Sequence, residues 1–277
     1  MNDSEQRRAL QCAIEAAQAA GVVMKKNFRS AKKINEQTQF DIKLELDVRC
    51  QKLIEKILFG LFPHVSFLGE EGDNPNAEGD LRWVVDPIDG TVNFNYEIPH
   101  ACVSIALQRQ VQGRKSKAQS HPDAAYQTIV GVVYDPFCGE LFTAIRGQPA
   151  RLNGKIIHVS KRKTLDTAIV SLGFGKTKSS VETTLVYFSE LLRRVRKVRM
   201  MGAAALAMVY VAAGRFDGYM ESQIRLWDIA AGGLILECAG GEFWNEAIEG
   251  HGEHAYRILA NNGLLRSQLE SLGKVVA

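Results

Sequence analysis

Apolar positions recur at helical spacing from early in the chain. Leu10, Ile14, Ala17, Gly21 and Met24 share one face and predict a long amphipathic first helix. A second stripe, Leu46, Cys50, Leu53, Ile54 and Ile57, predicts a helix over 45–60 that ends before Pro63. The apolar runs then shorten to strand length at Val65–Leu68 and Trp83–Val85, and each gives way to acidic residues. Residues 102–107, 128–134 and Glu140–Ala144 read as strands, the last after a turn at Asp135-Pro136. The intervening stretch 108–127 is polar, holds Gly113 and Pro122, and reads as a long exposed hairpin loop or flap. Further on, strands are expected at Ala168–Leu172, Gly218–Glu221 and Tyr256–Ala260, alternating with helices over 181–194, 202–213, 228–239 and 263–272.

Helix and strand mixed throughout argue an α/β or layered α+β protein. Small and polar residues cluster over 145–165, which divides the chain into halves at 1–155 and 156–277 without a flexible linker. With 277 residues and 46% of them hydrophobic, the chain can build a substantial core. Its net charge of +3, from 34 basic against 31 acidic residues, is too small to argue for nucleic acid or an acidic membrane surface. Arg193, Arg194, Arg196, Lys197 and Arg199 form one basic run; Arg114, Lys115 and Lys117 form another. Both read first as solvated surface, with steering of an anionic substrate as the functional alternative. Cys12, Cys50, Cys102, Cys138 and Cys238 contain no CxxC pair and fit buried thiols in a reducing compartment. The polar N-terminus lacks a secretion signal and no apolar run spans a bilayer, so a cytoplasmic location is expected.

The chemistry concentrates in carboxylates. In Trp83-Val84-Val85-Asp86-Pro87-Ile88-Asp89-Gly90-Thr91 an apolar strand delivers Asp86, Pro87 fixes the chain direction, Asp89 adds an acid and Gly90 permits a tight turn. Gly90 and Thr91 opening a helix would offer N–H groups to a phosphate; the structural alternative is an ordinary Asx-Pro turn. Gly69-Glu70-Glu71-Gly72 places acids at another strand end, where a plain acidic turn would look the same. Asp41, Glu45 and Asp47 precede or open the second helix, and Asp228 opens the helix after Leu226-Trp227, so capping explains either in isolation. Brought together, these acids require cations, and oxygen ligands without paired histidines favour Mg²⁺ or Mn²⁺ over zinc. His251 and His254, in an HGEH run, read as a surface turn, and His100 as ordinary packing.

These motifs carry a family resemblance that extends over nearly the whole chain. GEEG at 69–72, WVVDPIDGT at 83–91 and WDIAAG at 227–232 resemble, in order, the signatures of the inositol monophosphatase family of magnesium-dependent, lithium-sensitive phosphatases. DIKLELD at 41–47 corresponds to the family's D-x-V-T-x-x-D region, with Leu44 in place of its threonine and Lys43 in place of a small apolar residue. The resemblance implies an αβαβα five-layered sandwich of the inositol monophosphatase / fructose-1,6-bisphosphatase type and a homodimer. It implies metal ligation by Glu70, Asp86, the Ile88 carbonyl, Asp89 and Asp228, with Asp47 near a weaker third ion. Glu70 and Thr91 are then expected to handle the attacking water, with no covalent phosphoenzyme. Glu221 is expected at the substrate hydroxyls, and Gly202, Ala203 and Ala204 near the polyol ring. Asp89, Gly90, Thr91 and Asp228 complete the expected substrate contacts. Leu44 supplies no hydroxyl beside Asp47, which bears on the third ion, and 108–127 is longer than the hairpin connection of the animal enzymes. The expected reaction is hydrolysis of a small phosphate monoester, first of all inositol monophosphate. Fructose 1,6-bisphosphate, 3′-phosphonucleotides, NADP and histidinol phosphate remain open, as does a non-catalytic role with RNA or protein.

Overall fold

The computed structural model describes residues 1–39, 42–72, 78–111, 122–175 and 178–272. Helix α1, Asp3–Asn27, forms where the first stripe predicts it. A capping box starts it: Glu5 N–H donates to the Asn2 side chain at 3.0 Å, and Asn2 N–H to the Glu5 carboxylate at 2.8 Å. Strands β1 (Ile34–Gln37) and β2 (Ile42–Leu44) pair as an antiparallel ribbon leading into α2 (Glu45–Leu61). Next come β3 (Ser66–Gly69), β4 (Leu81–Asp89), the short helix α3 (Thr91–Asn95) and β5 (Cys102–Gln110). Strands β6 (Tyr126–Asp135), β7 (Glu140–Ile145), β8 (Arg151–Leu152) and β9 (Lys155–Ile156) complete a seven-stranded sheet, ordered as in sequence from β3 to β9. Only its β3–β4 pair is parallel.

The rest of the chain contributes β10 (Ile169–Leu172), α4 (Lys178–Arg194), β11 (Lys197–Arg199), α5 (Ala204–Ala212) and β12 (Gly218–Arg225). It ends with α6 (Leu226–Cys238), β13 (Glu242–Ala247), β14 (Ala255–Asn261) and α7 (Arg266–Glu270). These strands form a second sheet in the order β11-β10-β12-β14-β13.

The period of two along each strand sorts side chains to opposite faces and so builds the layers. Trp83, Val85, Ile105 and Leu107 pack with Ala13, Ala17, Cys50 and Ile54 of α1 and α2. Their neighbours Val84 and Ala106 face the other way, into a cluster with Leu206 and Val209 of α5 and Ile229 and Ile235 of α6. Tyr219 and Ile258 of the second sheet join that cluster, while Met220 and Leu259 point away toward Tyr187 and Leu191 of α4, Leu269 of α7 and Leu265 just before it. The outcome is the αβαβα order expected. The middle helices, covered on both sides, are apolar nearly all round, as such a layer demands.

Several boundaries differ from the sequence reading. Strand β4 runs through Pro87 to Asp89 instead of ending at Val85, and β12 continues to Arg225, so α6 begins at Leu226. Strand β13 was not expected; it lies at a sheet edge, half exposed, and its Glu242, Asn245 and Glu246 hide any strand pattern. In the 108–127 connection, β5 extends to Gln110 and Pro122–Ala125 form a 3₁₀ turn, so its described ends are ordered secondary structure; Gly113, Arg114, Lys115 and Lys117 lie outside the described residues, as does Asp41. All five cysteines are free, but only Cys12, Cys50 and Cys102 are buried; Cys138 is exposed, which corrects the expectation of uniformly buried thiols. Among the described residues no helix is long and apolar enough to cross a membrane.

Candidate active site and metal centre

The pairing of β4 with β5 jumps between Asp86–Ser104 and Asp89–Cys102, so β4 carries one extra residue there. Such a bulge accommodates Pro87, which has no N–H to give a ladder. It also turns both aspartates toward one cavity. Ile88 N–H donates to Asp86 Oδ1 at 2.9 Å, and the Thr91 hydroxyl donates to the Ile88 carbonyl at 2.9 Å. Gly90 follows at φ +90°, where a Cβ would also stand 3.0 Å from the His100 carbonyl oxygen. Only glycine suits that corner.

Asp89 is seated on the start of α5: Ala204 N–H donates to its Oδ1 at 3.1 Å and Ala205 N–H to its Oδ2 at 2.8 Å. The buried Cys102 thiol donates to the same Oδ2 at 3.5 Å. Asp228 lies in the first turn of α6 and accepts the Arg225 N–H at 2.9 Å. Asp47 stands likewise in α2, accepting the Leu44 N–H at 2.6 Å. The capping alternative is therefore true of both residues, and for Asp228 it coexists with a place in the cavity.

That cavity holds about 370 Å³ and is lined by Glu70, Asp86, Ile88, Asp89, Gly90, Thr91, Gly202, Ala203, Ala204, Glu221 and Asp228 among others. Asp86, Asp89 and Asp228 each bring a carboxylate oxygen within 4.8 Å of the other two. Burial, then the charges of Glu70, Asp89 and Asp228, push the Asp86 carboxyl well above the usual carboxylate range. Burial and the charge of Asp228 push Asp89 up to about 7, against the pull of the N–H groups of Ala204 and Ala205. Acids this close and this dry resist ionisation until something positive joins them. Among the described residues no Lys, Arg or His lines the cavity. A hard divalent cation meets the need, and the all-oxygen donor set fits one.

Of the residues expected to hold metal, water or substrate, Asp47 is the one absent from the cavity lining. It is buried at the start of α2, and Leu44 beside it belongs to the core against α1. Residues not singled out also line the site: Ser171, Gly173, Phe174, Met200 and Tyr219. The Tyr219 hydroxyl donates to the Glu221 carboxylate, and a Cβ on Gly173 would fall 1.8 Å from Glu221 Oε2. Tyr219 lies in the strand expected over Gly218–Glu221, and period two puts it on the same face as Glu221, the signal that could have found it. His100 packs against Tyr210, with ring centroids 6.0 Å apart, as ordinary packing requires. His254 corrects the surface-turn reading of HGEH: it is buried, 2.7 Å from Asp123.

A layered sandwich that gathers carboxylates able to hold a divalent cation in one cavity fits a hydrolase of the phosphatase type. Residues 5–274 match the inositol monophosphatase family, and the chain belongs to it. It is 36% identical over 261 residues to inositol monophosphatase 1 of Solanum lycopersicum, covering 92% of this chain and 90% of that one. It is 37% identical over 236 residues to the Nus factor SuhB of Escherichia coli (strain K12), covering 84% and 83%. The crystal structure of the extragenic suppressor protein suhB from Bartonella henselae superposes with a TM-score of 0.82 at 31% identity, over 95% of this chain and 98% of that one.

Proposed function

We propose that this phosphatase hydrolyses inositol monophosphate to inositol and phosphate, with Asp86, Asp89 and Asp228 holding magnesium and Glu70 and the Ile88 carbonyl completing the ligation. The observation that carries the reading is the triad of carboxylates within 4.8 Å, two buried and one half-buried, in the cavity that also contains Glu221. Mg²⁺ held by these residues would neutralise phosphoryl oxygens and acidify water. Glu70 takes a proton from the attacking water, and the Thr91 hydroxyl, already tethered to the Ile88 carbonyl, orients it. The N–H groups of Gly90 and Thr91 seat the phosphate. Glu221, held by Tyr219, accepts from hydroxyls of the leaving group, and Gly202, Ala203 and Ala204 shape the wall beside it.

The same reading takes two ions, with a third near Asp47, and Mn²⁺ as a substitute. It also takes a cytoplasmic homodimer, which sedimentation would report as twice the chain mass. The relative from Solanum lycopersicum, by its name an inositol monophosphatase, supports the choice of leaving group. A panel of inositol monophosphate, fructose 1,6-bisphosphate, a 3′-phosphonucleotide, NADP and histidinol phosphate with Mg²⁺ tests it. The highest kcat/KM is expected on inositol monophosphate, and preference for any other member of the panel overturns that choice. The Escherichia coli relative bears the name of a Nus factor, and Arg193, Arg194 and Lys197 are exposed here. Phosphate release from no substrate, with tight RNA binding, would favour a non-catalytic role instead.

A further inference from the structure

The polar connection between β5 and β6 ends in a 3₁₀ turn, Pro122–Ala125, that buries a carboxylate. Asp123 Oδ1 lies 2.6 Å from Arg82 Nη2. Its Oδ2 accepts from the Tyr256 hydroxyl at 2.8 Å and lies 2.7 Å from His254 Nδ1. Arg82 also donates through Nε to Gln108 at 2.9 Å, and its guanidinium stacks 3.7 Å from the centre of the Tyr126 ring. Arg82, Asp123, His254 and Tyr256 are all buried. Burial opposes ionisation of Asp123, yet the hydrogen bond from His254 and the charge of Arg82 bring its carboxyl down to about 2. An ionised carboxylate only accepts, so His254 carries its proton on Nδ1.

Two arms lead from this node to the carboxylate centre. Arg82 stands on β4 four residues before Asp86, on the same face by period two. On the other side, the His254 carbonyl accepts the N–H of Leu226, the first residue of α6, at 3.0 Å, and its ring packs 6.3 Å from that of Trp227. Arg225, whose N–H holds Asp228, donates Nη1 to the carbonyls of His251 at 3.0 Å and Glu253 at 2.8 Å. One ionised side chain thus ties the strand delivering Asp86 to the segment that fixes the start of the helix delivering Asp228. None of Arg82, Asp123, His254 and Tyr256 lines the cavity, so none reaches substrate.

We propose that Asp123 is a positioning residue which, through Arg82 and His254, sets the approach of Asp86 to Asp228 and thereby the affinity of the site for a divalent cation. The inference rests on the reading of those two aspartates as metal ligands. A metal site built from strand and helix ends needs its supports held as closely as its ligands, and losing a support weakens metal binding more than it weakens the fold. The physical content is orientation: Asp123 accepts from three directions, whereas an apolar side chain in its place would fill the volume without fixing an angle.

Mn²⁺ titrated calorimetrically into the metal-free protein tests this without reference to turnover. His254→Ala and Asp123→Asn are expected to weaken Mn²⁺ binding roughly tenfold. His254→Asn keeps an N–H donor close to the position of imidazole Nδ1, and asparagine tolerates the φ of +58° at this position. It should recover the affinity to within about twofold. KM for substrate at saturating metal should stay unchanged in all three. If Asp123→Asn does not fold, the double variant Arg82→Met with Asp123→Leu removes the charges together and should show the same weakening. A folded His254→Ala or double variant with unaltered Mn²⁺ affinity overturns the proposal, as does failure of His254→Asn to recover it. Asp86→Asn separates the two readings. Unaltered Mn²⁺ binding in Asp86→Asn removes the metal centre itself and the inference with it. Lost binding there beside unaltered His254→Ala overturns the positioning role alone.

Discussion

Asp89 holds a carboxyl pushed up to about 7 by burial and the charge of Asp228, and Asp86 moves in the same direction. In an unfolded chain both would titrate near 3.9, so between about 4 and 7 the folded, metal-free protein binds more protons than the unfolded one. Its stability from these groups is complete at the acidic end and is lost as pH rises through about 7. Cation binding has the opposite sign, because the protons must leave first. Melting without metal should therefore fall in temperature from below to above pH about 7, and Mg²⁺ affinity by calorimetry should rise over the same interval. Equal Mg²⁺ affinities on the two sides would mean that these carboxyls are not the ligands. Asp86→Asn keeps the side-chain shape and relieves the buried charge, so it should fold normally yet lose Mg²⁺-dependent phosphate release by at least about a hundredfold. Gly173→Ala acts on the leaving group instead. Its Cβ would lie 1.8 Å from Glu221 Oε2, so the carboxylate must swing away. A misplacement of that size costs roughly a hundredfold in kcat/KM on a polyol monophosphate, while p-nitrophenyl phosphate, which has no hydroxyls for Glu221, should lose far less.

At the scale of elements, the site depends on how closely α6 lies on the seven-stranded sheet. Gly131 of β6 marks the contact: a Cβ there would be 2.9 Å from the carbonyl oxygen of Ala231 and 3.3 Å from its Cα. Backbone cannot give way as a side chain can, so Gly131→Val should lift the helix, destabilise the protein by about 1–3 kcal/mol and move Asp228 away from Asp86 and Asp89. Denaturant titration and Mn²⁺ affinity measured together check this, and a loss of stability with full affinity would show that the helix shifts without its N-terminus. The elements themselves were legible where periodicity was strong. The stripe of α1 and the apolar runs of β5 and β6 read correctly because their buried positions are mostly apolar. Strand β4 past Val85 was not legible, since Asp86, Pro87 and Asp89 read as a turn when the bulge that keeps them in the strand is unseen. The carboxylates of the cavity could be found only as a set of motifs, because each alone fits a cap or a turn. His254 was missed for a related reason: its partner Asp123 lies 131 residues away, and HGEH taken locally is only a polar run. Ser171, Phe174 and Met200 carry no local signal at all, and only the packing of the second sheet brings them to the cavity.

Beside the β1–β2 ribbon, the described residues form two large sheets with no seam between them. All strands of the seven-stranded sheet come from Ser66–Ile156 and all of the five-stranded sheet from Ile169–Asn261, while the division proposed at 155/156 passes within β9. The apolar cluster around α5 and α6 nevertheless joins Leu68, Val84, Val133 and Phe142 to Leu206, Ile229, Leu234 and Ile258. The expected halves 1–155 and 156–277 therefore share one interior. A fragment ending at 155 would expose the face of its sheet that now meets α5 and α6, an apolar area too large for an isolated unit to leave in water. Calorimetry should accordingly show one transition whose van't Hoff and calorimetric enthalpies agree. A cation held by the triad would couple the halves a second time, since Asp86 and Asp89 come from one and Asp228 from the other. Mg²⁺ at a hundred times its dissociation constant should add about 2.7 kcal/mol to the whole transition and raise its midpoint without splitting it. Two transitions, only one of them moved by Mg²⁺, would place all the ligands in a single independent unit, which the shared layer of α5 and α6 does not permit.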